Sequence, residues 1–176
     1  MVFGDDTDAS LVAAAALVNS AEPPDTLTTT VELDAFYAEH GYTGSRTRDA
    51  AELEAVRAVR GPVRELLTAD RDTAVVLVNR ILAAHEIRPQ LVRHDHLDYH
   101  LHPTAPDAPL AERIVVETAM AMVDVVRADE LSRLSICADP TCEGVVVDLS
   151  RNRSRRFCST TCGNRVAVAA YRARRG

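Results

Sequence analysis

The sequence predicts an α+β protein that is mainly α, with a helical domain over residues 1–135 carrying one β-hairpin and a small cysteine-bearing module over residues 136–176. Three observations predict this. Apolar residues recur at helical spacing through most of the first 135 positions. One segment, residues 87–102, switches to a period of two. All four cysteines fall in the last 40 residues.

The helices can be placed in order. "DASLVAAAALVNS" reads as a helix with Asp8 as a candidate cap. "SAEPPDTLT" is a loop, because paired prolines remove donors and hold the chain extended. Residues 30–40 have a threonine cap before them and Gly41 after, with Leu33, Phe36 and Tyr37 on one face. Leu53, Val56, Val63, Leu66 and Leu67 keep helical spacing, and Gly61-Pro62 breaks that stretch into a kink or two helices. "DRDTAVVLVNRILAAHE" is a further helix opened by Asp70 or Asp72. The longest helix follows Asp107 as its cap, with Pro109 in the first turn, and its wide apolar arc makes it the central buried one.

Between the last two helices lies "IRPQLVRHDHLDYHLHP". Alternation puts Leu97, Tyr99 and Leu101 on one side and His96, Asp98, His100 and His102 on the other, a hairpin turning near residues 94–96. Alternate strand positions are about 7 Å apart, an awkward span for neighbouring imidazoles to share an ion. The histidine side therefore reads as the solvent face and not as a metal site. No nucleophile constellation and no glycine-rich phosphate loop is present, so the function reads as binding and not as catalysis.

Hydrophobic residues make up 47% of the chain, and with no tryptophan the core must be filled by Val, Leu and Ala. The longest apolar run, residues 11–18, is far short of the ~20 residues of a membrane span. The acidic "MVFGDDTDAS" before it is unlike a secretory signal. The expectation is a cytoplasmic, reducing setting in which the cysteines are thiols or thiolates. All 20 basic residues are arginine, and their distribution is uneven. Residues 137–176 hold eight arginines against three acids, net +5, while residues 1–136 carry net −11. No acidic side chain follows Asp148.

Cys137 and Cys142 are separated by four residues, Cys158 and Cys162 by three. On a helix the second pair presents both sulfurs on one face, with Ser159 or Cys158 as the cap. "CADPTC" fits a knuckle turn, and "GVVVDLS" and "RSRRFC" read as two strands joined through "SRN". Knuckle, hairpin and ligand-bearing helix together make a treble clef. Four thiolates on one structural Zn²⁺ per chain leave no open coordination position. The metal also supplies the folding free energy that about 40 residues cannot gain by burial. An iron–sulfur cluster or redox thiols would draw on the same side chains.

The segments "CADPTC", "DLSRNRSRRFCSTTCGNR" and "YRAR" resemble the CGNR zinc finger. More diffusely, "LVNS", the hairpin before "HPTAPDAPLAERI", and "RLSIC" resemble the ABATE domain that precedes this finger in stress-induced transcription regulators of bacteria. The resemblance implies DNA binding through the finger. This chain departs from the pattern in its second cysteine pair, one residue narrower, in Phe157 standing where Trp is usual, and in Ala167 standing where Lys is common.

The nucleic-acid contacts expected are Arg151, Arg153, Arg155 and Arg156 on the finger hairpin, and Asn164, Arg165, Arg172 and Arg175 on the last helix. Arg165, Arg172 and Arg175 lie within about a quarter-turn of one another at 100° per residue. Val166, Ala170 and Ala173 form a separate apolar stripe expected to pack on the hairpin or the first domain. Guanidinium groups suit phosphates and guanine edges. The alternative is an adaptor whose basic finger docks an acidic protein surface. Asn164 and Arg165 have a second reading of their own, structural, with Asn164 bonded to the knuckle and Arg165 paired to Asp148. A small-molecule ligand for the helical domain and a homodimer both stay open.

Overall fold

The computed structural model describes residues 3–94 and 97–175. The chain forms α1 (Asp5–Asn19), α2 (Thr30–Glu39), α3 (Ala50–Ala58), α4 (Arg60–Thr68), α5 (Arg71–Ala84), β1 (Gln90–His94), β2 (Leu97–His102), α6 (Leu110–Arg127), β3 (Leu134–Ile136), β4 (Val145–Val147) and α7 (Thr160–Ala173). A 3₁₀ turn, Leu131–Arg133, precedes β3. The strands make two separate antiparallel pairs, β1 with β2 and β3 with β4.

Local chemistry explains most of the helix starts. Thr29 caps α2 in a full capping box with Glu32. Asp49 caps α3 by accepting from Glu52 N, and Asp70 caps α5 by accepting from Thr73 N. Two starts differ from expectation. α1 begins at Asp5, ahead of Asp8, so that Asp5, Asp6 and Asp8 all lie in its first turn, where the helix dipole favours them. α6 begins after Pro109, which is its N-cap, and Asp107 plays no capping part. The expected interruption near Gly61-Pro62 is real and falls at Val59, which leaves Pro62 in the first turn of α4, where its missing N–H costs nothing.

Helix α6 is central. Its apolar residues join two clusters. One gathers Leu17, Leu27, Leu33, Phe36, Leu53, Val56, Leu110 and Ile114. The other combines α1, α4, α5 and α6, among them Leu11, Leu66, Leu77, Val115 and Met122, with Val145 and Val147 of β4. The finger strand is thus built into the helical core. Its middle residue, Val146, points the other way and packs with Cys137 and Cys162. All three valines are buried because β4 lies between two cores, and strand alternation assigns one face to each.

Gly44 is required by its surroundings. Its φ is +92°, and a Cβ there would lie 2.4 Å from Pro106 O and 2.6 Å from the Arg113 guanidinium. Arg46 fixes the same region, with ion pairs to Asp34 at 2.6 Å and Glu52 at 2.8 Å and its guanidinium 4.7 Å above the Tyr37 ring. No helix among the described residues is long and apolar enough to cross a membrane.

The hairpin inverts expectation. The expected antiparallel hairpin is present, with Gln90 opposite His102 and Val92 opposite His100. Its faces are reversed: His100 is 8% exposed, whereas Leu91, Tyr99 and Leu101 are 63%, 62% and 45% exposed. The histidine face looks inward because α1 closes the free edge of β2, the Asp6 carboxylate accepting from Leu101 N at 3.2 Å. His96 lies outside the described residues, as do the side chains of Leu97 and Asp98.

Candidate metal centre and basic helix

The four cysteines are reduced and converge. Their sulfurs all lie within 4.8 Å of one another, with Cys142–Cys158 at 3.5 Å and Cys158–Cys162 at 3.7 Å. A tetrahedron with Zn–S bonds of about 2.3 Å has edges of about 3.8 Å, so the sulfur cage already has the dimensions of a ZnS₄ site. Burial pushes the Cys158 thiol well up, and its three neighbours push it further. A dication removes that penalty by holding the sulfurs as thiolates. Backbone donors help to fix the cage. Gly144 N–H donates to Cys142 Sγ at 3.3 Å, and Cys158 N–H approaches Cys137 Sγ at 3.5 Å.

The first pair sits on the knuckle Cys137–Cys142, which Asp139 folds by accepting from Thr141 N at 3.0 Å and Thr141 Oγ1 at 2.8 Å. Cys158 and Cys162 flank the start of α7, capped by Ser159, which accepts from Cys162 N at 3.3 Å. Gly163 meets the Phe157 ring, 3.4 Å from where a Cβ would stand.

The strand assignment within the finger needs correction. "GVVVDLS" does supply a strand, but it pairs with residues 134–136 and not with "RSRRFC". Residues 149–158 are loop. Asp148 organises that loop, accepting from Ser150 N at 2.9 Å and Arg155 N at 2.8 Å, and Arg153 takes a positive φ of 49°. A side chain that satisfies two backbone donors competes with a ladder for them.

The eight expected contact residues divide. Arg153 donates to Glu130 at 2.9 Å and to Ser132 Oγ at 3.1 Å. Arg155 lies over the carbonyls of Phe157 and Cys158. Arg165 donates to Thr141 Oγ1 at 2.7 Å and stands 2.9 Å from Asp139 Oδ2; its acidic partner is therefore Asp139, not Asp148. Arg151, Arg156, Asn164, Arg172 and Arg175 are exposed and make no ion pair among the described residues. Arg175 stacks on Tyr171 at 4.7 Å. The stripe Val166, Ala170 and Ala173 does not pack as expected: Val166 is half-buried and both alanines are exposed, and Cys162 is the one buried residue of α7.

Two residues that hold the site were missed. Asn19, at the end of α1, accepts from Val145 N at 2.6 Å and donates to Val145 O at 2.8 Å, acting as a one-residue strand on the open edge of β4. A Cβ at Gly144 would stand 2.8 Å from Cys158 Sγ and 3.2 Å from both Cys142 Sγ and Asn19 Oδ1. The position of Asn19 in "LVNS" was part of the family resemblance, but no local pattern assigns it a partner 126 residues away. Beyond these, Arg64 of α4 donates to the Glu143 carbonyl, and Glu22 accepts from Glu143 N at 3.2 Å, binding the knuckle to the helices.

A helical domain welded to a four-cysteine cage able to hold one zinc ion defines the class: a zinc-finger protein whose finger shares its core with a second domain. Comparison with known families agrees. The model of the CGNR zinc finger matches residues 133–175, and that of the ABATE family, described as "Putative stress-induced transcription regulator", matches residues 11–129. The latter spans more than half of the chain, and the protein belongs to the ABATE family. No curated protein matches the chain.

Proposed function

We propose that this protein is a cytoplasmic regulator of bacterial transcription that binds DNA through its finger, acting by binding and not by catalysis. The observation that carries the reading is α7. It projects from the zinc cage with nearly every side chain beyond Cys162 exposed. Over one arc of about 120° it carries Thr161, Asn164, Arg165, Val168, Tyr171 and Arg172, with Arg175 just past its C-cap. At about 21 Å long it fits the major groove, which admits an α-helix. Arg172 and Arg175 supply phosphate or guanine contacts, Asn164 suits adenine, and Val168 offers an apolar contact for a thymine methyl. Arg151 and Arg156, on the loop beside the cage, extend the charge. Screening over about 8 Å leaves this end cationic to a polyanion despite the acidic body. Arg153, Arg155 and Arg165 keep a positioning part, since their guanidinium groups are engaged within the chain.

The test is fluorescence anisotropy of the zinc-loaded chain on a mixed-sequence duplex across a salt series. For every phosphate that is no longer neutralised by an arginine, the slope of log K on log salt falls by about 0.9. Arg172→Ala with Arg175→Ala should weaken binding across sequences and flatten the slope, zinc content unchanged. A double variant that binds like the parent removes α7 from the contact surface. If the parent binds no duplex at low salt, the adaptor reading replaces this one.

A further inference from the structure

The histidines of β2 have no part in the finger, yet the fold buries His100 and half-buries His102. The strand turns Tyr99 and Leu101 to solvent and His100 inward, the reverse of what apolar burial alone would select. Behind them is a cavity of about 480 Å³ between β2, α1, the end of α2 and α6. Its walls carry the carboxyls of Asp6, Asp8 and Glu39, the Glu117 carboxyl, which burial pushes up to about 7, and the His40 ring, with no arginine among the described lining residues, so the other three carboxylates favour a cation. His100 Nε2 and His102 Nε2 lie 3.0 Å apart and share a hydrogen bond whose direction depends on the tautomer, with ring centroids at 4.9 Å and planes inclined by 57°. Side chains at alternate strand positions start about 7 Å apart; here the rings lean together until their nitrogens converge. Two nitrogens each about 2.1 Å from one ion are separated by about 3.0 Å at a right-angled bite and about 3.4 Å at a tetrahedral one.

The geometry points to a second metal site: His100 and His102 hold a divalent transition ion of borderline softness, of the nickel, cobalt or zinc kind, at the wall of this cavity. Imidazole pairs select such ions over magnesium or calcium, which prefer all-oxygen sites. The four cysteines are the one group of three or more metal-binding side chains drawn within 4.8 Å among the described residues. Among the described residues the histidine pair offers two ligands, and water or oxygen donors from the cavity can complete the set. Such a site is open and exchangeable, unlike the closed cysteine cage.

The probe is Ni²⁺, titrated calorimetrically into the full zinc-loaded chain at pH 7.5, with zinc measured before and after so that exchange at the cysteines is seen directly. One further equivalent should bind with zinc retained. His100→Ala with His102→Ala should abolish it, while His85→Ala, outside the cavity, should not change it. His102 is only half-buried, so His102→Gln guards against a double variant that does not fold. It should weaken Ni²⁺ at least tenfold with the helical circular dichroism intact. A parent that takes up no nickel beyond displaced zinc overturns the proposal, as does an extra equivalent that survives His102→Gln at parental affinity.

Discussion

Replacing Asn19 with Ala tests whether the finger is welded to the helical domain or merely tethered to it. Val145 is 1% exposed, and its N–H and C=O both turn away from β3 to meet the Asn19 amide at 2.6 and 2.8 Å. Alanine leaves both groups buried without a protein partner. Each unsatisfied buried polar group costs about 1–3 kcal/mol, the lower figure applying where water can enter. Asn19 is only half-buried, so partial rescue by water brings the sum to about 2–4 kcal/mol. That is a large fraction of a total stability of about 5–15 kcal/mol. Urea denaturation of the zinc-loaded protein, followed by circular dichroism, should show the midpoint falling with little change in slope. Asn19→Asp keeps the acceptor but sets a carboxylate against the Val145 carbonyl, and should cost at least as much. A destabilisation below about 0.5 kcal/mol for Asn19→Ala would refute the reasoning and leave the two modules energetically independent.

Gly144→Ala should lower zinc affinity at least tenfold, because its methyl would press on Cys158 Sγ at 2.8 Å; competition with a chromogenic chelator reads this, and unchanged affinity would mean that the cage shifts freely. Removing zinc should lower the melting temperature of the helical signal as well as unfold the finger, since Val145 and Val147 belong to the helical core; calorimetry resolving an unshifted helical transition would contradict that. Hydrogen bonds from Arg60 hold the Asp25 carboxyl down at about 2 from 3.8, helped by Leu27 N–H. A lowered carboxyl stabilises the fold above its unfolded pKa and ceases to do so as pH falls through the folded one. Asp25→Asn should thus cost about 1 kcal/mol at pH 7, less than the full shift because solvent screens the pair, with the gap to the parent closing between about pH 4 and pH 2; a gap independent of pH would assign the effect to packing.

What could be read from the sequence alone was local in origin. The helix starts at Thr29 and Asp70 depend on a side chain reaching a backbone N–H three residues on, and such contacts are written in adjacent letters. The cysteine cage was legible for a similar reason: each pair is brought together by one turn, and a metal supplies the cohesion that a small module lacks. The hairpin itself followed from alternation; its register did not, since it shifts between Val92 and His94. Tertiary structure alone decided which hairpin face looks inward. Alternation separates two faces, but only the docking of α1 against the edge of β2 determines that His100 is buried and Tyr99 is not. The partner of β4 was decided in the same way. "GVVVD" suits a strand whatever lies beside it, and the backbone donors of residues 150 and 155 went to the Asp148 carboxylate, which left residues 134–136 to complete the ladder. The arginines differ for the same physical reason. Charge and spacing put eight of them in one module, but whether a guanidinium is open to a phosphate depends on which acids the fold brings within 4 Å, as Glu130 is brought to Arg153 and Asp139 to Arg165, while Arg172 stays in solvent.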